Sequence, residues 1–285
     1  MKVRNNAAWW FIAPAVAILA VVGVVPLVAV FNFSFFDIFT IQSRYWVGAE
    51  WYADLLGSRD FYASLGRSLL FSLLVILLQF PLGIFLAKLI PENRLISVAL
   101  LMLVSLPLVI PWNMIPMIWL NMLHPIFGGL TAVFADLGVS FDYKFNAVHT
   151  YILLVMVDTW HWIGLVIVLA YAGLSSIPKP YYQAAEIDGA TRWQVFRYIE
   201  LPKIAGVLMM ALLLRTVDSM MIYTEAFAIN AGGPNGATTF LSLGLGEEIN
   251  AFNYGPAAAR SIVYFLLVLL IAWGFRTAMT QHKDS

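Results

Sequence analysis

The chain has 285 residues, of which 61% are hydrophobic and only 11% charged, with 16 basic and 16 acidic side chains. A soluble domain carries about 25% charged residues, so much of this surface must face lipid, and zero net charge offers no basic field for nucleic acid. The absence of cysteine excludes disulfides, thiolate catalysis and Cys-ligated metal, and leaves the redox compartment open.

A membrane-crossing helix needs about 20 mostly apolar residues. Six segments qualify: Trp9–Phe31, Arg67–Ile90, Leu95–Leu120, Ala147–Leu174, Ile204–Phe227 and Ala259–Met279. They predict an all-α polytopic membrane protein, with one transmembrane domain over residues 1–285. Lys2 and Arg4 precede the first segment as they would a secretory signal. Its apolar run, however, outlasts the roughly 7–15 residues of a signal core, so it reads as a retained span. The third segment holds Pro107, Pro111 and Pro116, which remove backbone donors. It is expected to be a bent span whose freed carbonyls are satisfied by neighbours, with a functional hinge as the alternative.

Six spans put both termini on one side. Lys2, Arg4, Lys88, Arg94, Lys179, Arg192, Arg197, Lys203, Arg276 and Lys283 lie on that side, against Arg44, Arg59, Arg67, Lys144 and Arg260 on the other. Arg215 falls within a span. Basic residues accumulate on the cytoplasmic side, so the termini are expected there. Trp9, Trp10, Trp46, Trp51, Trp112 and Trp119 sit near span ends, as interfacial anchors do. Residues 228–256 carry no Lys or Arg and contain Gly232-Gly233-Pro234, a turn signal, which predicts an external loop.

The long polar segment on the terminal side is 175–203, SSIPKPYYQAAEIDGATRWQVFRYIELPK. Pro178 and Pro180 close the preceding helix, and Tyr181–Ile187 is a short helix former. Asp188-Gly189 is a turn, and Thr191–Glu200 a second short helix that Leu201-Pro202 should end. Within it, Tyr182-Gln183-Ala184-Ala185-Glu186-Ile187-Asp188-Gly189-Ala190, followed by Ile199-Glu200-Leu201-Pro202, resembles the EAA loop of permeases of binding-protein-dependent ABC importers. The family pattern is EAA, then Gly, then I-x-L-P; Gln183 stands at the usual Glu position.

The resemblance extends along nearly the whole chain. Ala231-Gly232-Gly233-Pro234 with Thr238 and Thr239, the stretch Arg215–Asp218 with Glu225, and Gly48–Tyr52 are similar to the sugar-type family of the larger, MalF-like maltose permease subunit. It implies a type I ABC importer permease fold with six transmembrane helices, the first of two non-identical permeases. It further implies two ATPase subunits that bind ATP and Mg, and a periplasmic or lipid-anchored solute-binding protein. The solute would be a sugar, sugar alcohol or related polyhydroxylated compound, and the setting a bacterial plasma membrane. In the family the loop is the coupling helix, docked on the ATPase. Tyr182, Gln183, Ala184, Ala185, Glu186, Asp188, Gly189 and Ala190 would make that contact. Small Ala184 and Ala185 permit close approach, and Gly189 a backbone conformation that a Cβ would penalise.

Ionisable groups at bilayer depth usually face a cavity or a partner. Arg215, Asp218 and Glu225 fall on one helical face with Ile222, bordered by Ser219. Asp158 and His161 are three apart in the fourth span, and Asn113 and Gln79 are polar in the third and second. Two readings stay open. These groups line the solute path, or Arg215 pairs with Asp218 or Asp158 to hold spans together. No G-x-x-x-x-G-K-[ST] loop is present, so ATP would be bound by another chain, and no cofactor is expected here. The four histidines show no metal-ligand spacing, and no nucleophile–base constellation assembles, so the chain is not expected to be an enzyme. An ion-coupled secondary transporter with Asp158, His161 and Asp218 as a relay is the alternative. It would leave the polar loop unexplained, and no inverted repeat is evident.

Overall fold

The computed structural model describes residues 7–40 and 43–281; Lys2, Arg4, His282 and Lys283 lie outside the described residues. The first span runs from α1 (Ala7–Leu19) through a π-helical turn (Ala20–Val24) into α2 (Val25–Phe33). A helix-interior proline lacks a donor, and its ring collides with the carbonyl four residues back. The widened turn sits just ahead of Pro26 and takes up that conflict. A short antiparallel hairpin follows, β1 (Phe36–Ile38) with β2 (Arg44–Trp46), Phe36 opposite Trp46. The hairpin departs from the all-α expectation, and its three-residue strands are too short to show an alternating pattern. Phe35 stacks on Trp46 at 5.5 Å between ring centroids. Next come α3 (Glu50–Gly57) and α4 (Arg59–Leu89).

One narrow stripe of α4 is buried: Phe61, Ser64, Ser68, Phe71, Ser72, Val75, Gln79, Gly83 and Ala87. The spacing of three and four is that of a single helix face. The other faces, with Leu69, Leu73, Leu77 and Phe85, are apolar and exposed, so the buried stripe is the more polar one. That inversion suits a helix whose outer solvent is lipid.

The expected third span is broken. α5 (Arg94–Val109) and α6 (Met114–Met122) meet at 103°. Pro111 has no N–H to give the Pro107 carbonyl, and Ile110 takes that carbonyl at 3.2 Å in a tighter turn. The helix therefore stops at Val109, and the two pieces form a pair sharply bent at this break. α7 (Gly129–Asp136) leads to α8 (Ala147–Ser175), which Asn146 caps by accepting from the Val148 and His149 amides.

After α8 come α9 (Lys179–Ile187), α10 (Arg192–Val195), a second π-helical turn (Phe196–Glu200) and α11 (Leu201–Ser219). Leu201-Pro202 was expected to end a helix, but the chain stays helical through it. The Leu201 amide reaches back five residues to the Phe196 carbonyl, and this wide turn admits Pro202 as the first one admits Pro26. The expected fifth span, in contrast, is interrupted. α11 stops at Ser219, and α12 (Thr224–Asn230) leaves at 44°. Arg215, Asp218, Ile222 and Glu225 thus do not share one continuous helix face. α13 (Leu241–Asn250) and α14 (Tyr254–Gln281) complete the chain. Among the described residues, four helical segments are long and apolar enough to cross a membrane, or up to six if each bent pair is one span.

The chain groups into two compact units. One holds the described residues up to Tyr62 with Gly244–Leu269; the other holds Ala63–Leu243 with the described residues from Leu270. In the first, Arg260 lies inside α14 and meets Glu248 of α13 at 3.4 Å. In the second, α8 is central, and α5 and α11 pack along it. A Cβ on Gly164 would lie 2.2 Å from the Val104 carbonyl oxygen, so glycine is what lets α5 approach α8. Two apolar cores form in this unit. One gathers Phe71, Leu153, Leu154, Val157, Ile222 and Phe240. The other gathers Ala87, Ile167, Ala170, Ile177, Ile204 and Leu208.

Candidate functional site

Between the two cores lies a buried polar cluster built by three helices. Arg215 of α11 is fully buried, as is Gln79 of α4, and Asp158 of α8 is 6% exposed. A buried charge is tolerable only when paired and hydrogen-bonded, and each donor here has a partner. The Arg215 guanidinium donates from Nη2 to Asp158 at 2.5 Å, from Nε to Gln79 Oε1 at 2.9 Å and from Nη1 to Asp218 at 2.5 Å. Gln79 Nε2 donates at 2.7 Å to the same Asp158 oxygen. The guanidinium also stands 4.7 Å over the Trp162 ring, a stabilising cation–π geometry. Asp218 is the outer member, with its side chain 27% exposed. Ser219, one turn on from Arg215, donates to Ser72 of α4 at 2.8 Å.

The remaining expected path residues are dispersed. His161 is buried beside the α5–α6 break, its ring 6.4 Å from Trp112 and 5.1 Å from Trp162. Its Nδ1 and the neighbouring Thr159 hydroxyl are buried without a hydrogen-bond partner. Glu225 is buried at the start of α12. Asn113 is exposed at the break and takes no part in the cluster's hydrogen bonds. Gln79 was singled out from sequence as a polar residue of the second span, but Ser72 and Ser68 were given no role. The signal for them was the polar stripe Ser64, Ser68, Ser72, Gln79, which recurs at helical spacing in an otherwise apolar span.

The segment around the Gly-Gly-Pro turn is anchored to α4 and to the loop that precedes α8. Arg67 donates to the Thr239 carbonyl at 3.1 Å, and the Leu241 amide to Ser68 at 3.0 Å. Asn230 donates to the carbonyls of Tyr143 and Lys144.

The polar loop makes a helix–turn–helix at the far end of the same bundle. Ala185 and Tyr182 turn inward, Ala185 being buried and Tyr182 packed on the second core with Ile199 and Leu201. Gln183, Ala184, Glu186, Asp188 and Gly189 are exposed, and Ala190 is half-buried. Gly189 has φ +66° and nothing within 4 Å of its Cβ position. Thr191 and Gln194 cap α10 reciprocally.

The profile of binding-protein-dependent transport system inner membrane components matches residues 79–277. The chain belongs to this family. It is a membrane-spanning permease subunit of an ABC importer. Its sequence is similar to the trehalose/maltose transport system permease protein MalF of Thermococcus litoralis, 31% identical over 272 residues, 94% of this chain and 92% of that one. It is also similar to the arabinooligosaccharides transport system permease protein AraP of Bacillus subtilis, 29% identical over 94% of this chain and 87% of that one. Its fold is similar to a chain in the crystal structure of a bacterial ABC transporter involved in the import of the acidic polysaccharide alginate. There the TM-score is 0.78 at 22% identity, over 96% of both chains. The matched region of the permease takes in the Gln79–Asp158–Arg215 cluster and the whole helix–turn–helix.

Proposed function

We propose that this permease imports a sugar, sugar alcohol or related polyhydroxylated solute by alternating access, as the first of two non-identical permeases. The helix–turn–helix at 175–203 carries the reading, because it presents small and polar side chains outward while its inner face is rooted in the core between α8 and α11. Gln183, Ala184, Glu186, Asp188, Gly189 and Ala190 would form the contact with one of two ATPase subunits, which bind ATP and Mg, while Tyr182 and Ala185, expected in that contact, face the core instead. This chain holds no cofactor and performs no chemistry on the solute. A periplasmic or lipid-anchored binding protein delivers the solute. The loop and both termini face the cytoplasm, a placement supported by the excess of Lys and Arg on that side. The exposed apolar faces of α1, α2 and α4 take lipid or the second permease.

The polyhydroxylated class is supported by relatives described as carrying trehalose and maltose or arabinooligosaccharides. Within the bundle, Asp158 and Arg215 hold the walls of the path. Asp218, Glu225, Ser219, His161 and Asn113 offer donors and acceptors to it. The test is ATP hydrolysis by the reconstituted complex with its binding protein and a panel of trehalose, maltose and arabino-oligosaccharides, comparing the parent with Gly189→Trp. Sugar-stimulated hydrolysis abolished by the bulky residue in an assembled complex is the expected result. Stimulation untouched by it would remove the loop from coupling.

A further inference from the structure

The helix–turn–helix is joined to α11 through a π-helical turn, a rare break in the regular helix that recurs at functional sites. A rigid push on α9 needs other routes into the bundle. Glu200, the last residue of that turn, supplies one. It is 8% exposed, and its carboxylate accepts from Lys88 Nζ at 2.5 Å. Lys88 lies in the last turn of α4 and stands 4.6 Å over the Phe196 ring in the same π turn. On the other side of Glu200 lies Tyr182 of α9. Burial, and then the adjacent Glu200 carboxylate, push its phenol above the ordinary tyrosine range. Lys203, in the first turn of α11, donates to Tyr181 of α9 at 3.2 Å and covers its ring at 4.5 Å.

Glu200 therefore sits where α4, α9 and the π turn meet. The Lys88 side chain is 32% exposed and that of Glu200 10%; it is the carboxylate that would keep a desolvation penalty without its cation, so the pair resists separation. Nine residues back along α4 is Gln79, bonded to Arg215 and Asp158. Sixteen residues back is Ser72, bonded to Ser219. α4 thus carries three polar rungs, one at the loop and two beside the cluster.

We propose that Lys88 and Glu200 are positioning residues for transport. The pair makes α4 follow the helix–turn–helix, so that movement of the loop reaches the Gln79–Asp158–Arg215 cluster through α4 as well as through α8 and α11. The proposal rests on the reading of α9 as the ATPase-docking element.

The experiment uses the complete transporter in proteoliposomes and measures hydrolysis and sugar uptake together for Glu200→Gln, Lys88→Gln and the exchange Lys88→Glu/Glu200→Lys. The probe is whichever of trehalose, maltose or arabino-oligosaccharide stimulates hydrolysis. In the single variants hydrolysis should hold within about twofold while uptake per ATP falls about tenfold, a coupling loss of ordinary allosteric size. The exchange should restore most of it. Unchanged uptake per ATP in assembled single variants overturns the proposal. So does a parallel loss of uptake and hydrolysis that the exchange fails to restore, since the pair is then only a folding contact.

Spin labels at Lys179→Cys and Glu92→Cys read the same linkage without any sugar, and the chain has no native cysteine to interfere. Their separation should stay constant between nucleotide-free and ATP–vanadate states in the parent and change in Glu200→Gln. The same behaviour in both would overturn the proposal. Gly189→Trp is run alongside. If it leaves stimulated hydrolysis intact, the docking role of α9 falls, an outcome distinct from failure of the ion pair.

Discussion

Arg215 and Asp158 face each other at 2.5 Å from α11 and α8, and Gln79 of α4 is hydrogen-bonded to both. Three helices far apart in sequence are thereby closed on one another around a single guanidinium, with Asp218 as a second, partly exposed anion. Removing one partner of a buried pair costs more than removing both, because the survivor keeps its desolvation penalty.

Arg215→Met should therefore destabilise the protein by about 3–5 kcal/mol, measured by denaturant titration of the detergent-solubilised complex. Adding Asp158→Asn should recover most of that loss. If the double variant is no more stable than the single, the pair does not hold α8 to α11.

Asp218 is different because its side chain is 27% exposed. Asp218→Asn should change stability by less than about 1 kcal/mol, as for other partly solvated pairs. If the carboxylate accepts a solute hydroxyl, the half-saturation concentration for uptake should rise about tenfold, the loss of one charge-assisted hydrogen bond. Unaltered uptake in an assembled complex would take Asp218 out of the path.

Gly164 lies against the α5 backbone, where a Cβ would come within 2.2 Å of the Val104 carbonyl oxygen. A backbone neighbour cannot swing aside as a side chain does. Gly164→Val should force α5 from α8 and cost about 1–3 kcal/mol, seen as a lower melting temperature of the solubilised complex. Gly206→Val is the control, since nothing lies within 4 Å of its Cβ position.

Gly189 also has open space around it, although its φ of +66° favours glycine. Gly189→Ala should cost only about 1–2 kcal/mol of local backbone strain and leave the complex assembled and coupled. Gly189→Trp, whose Cβ meets no described atom beyond its chain neighbours within 4 Å, should act on a docked partner and abolish stimulated hydrolysis. Equal effects of the two variants would point to backbone strain in place of docking bulk.

Composition and apolar run length were enough to mark the apolar segments, four of them long helical spans and two bent helix pairs, because burial in lipid is a local demand that every span meets alone. The helix–turn–helix was likewise legible, its Pro178, Asp188-Gly189 and Thr191 being signals that act on their own backbone. Legibility failed first at the prolines. Pro111 breaks a helix and Pro202 does not, the chain passing Pro202 through a turn widened to five-residue spacing. It failed again at the polar groups. The pairs Gln79–Asp158, Gln79–Arg215 and Lys88–Glu200 span 79, 136 and 112 residues. A stripe of serines and one glutamine on α4 shows that a face is polar, but not what it meets. By itself, the sequence determined the apolar spans, the polar loop and the charges that need partners. Tertiary structure decided which partners they find, because that choice depends on how α4, α8 and α11 are set against one another, and close approaches such as Gly83 against Val166 and Gly173 against Ile204 set that register.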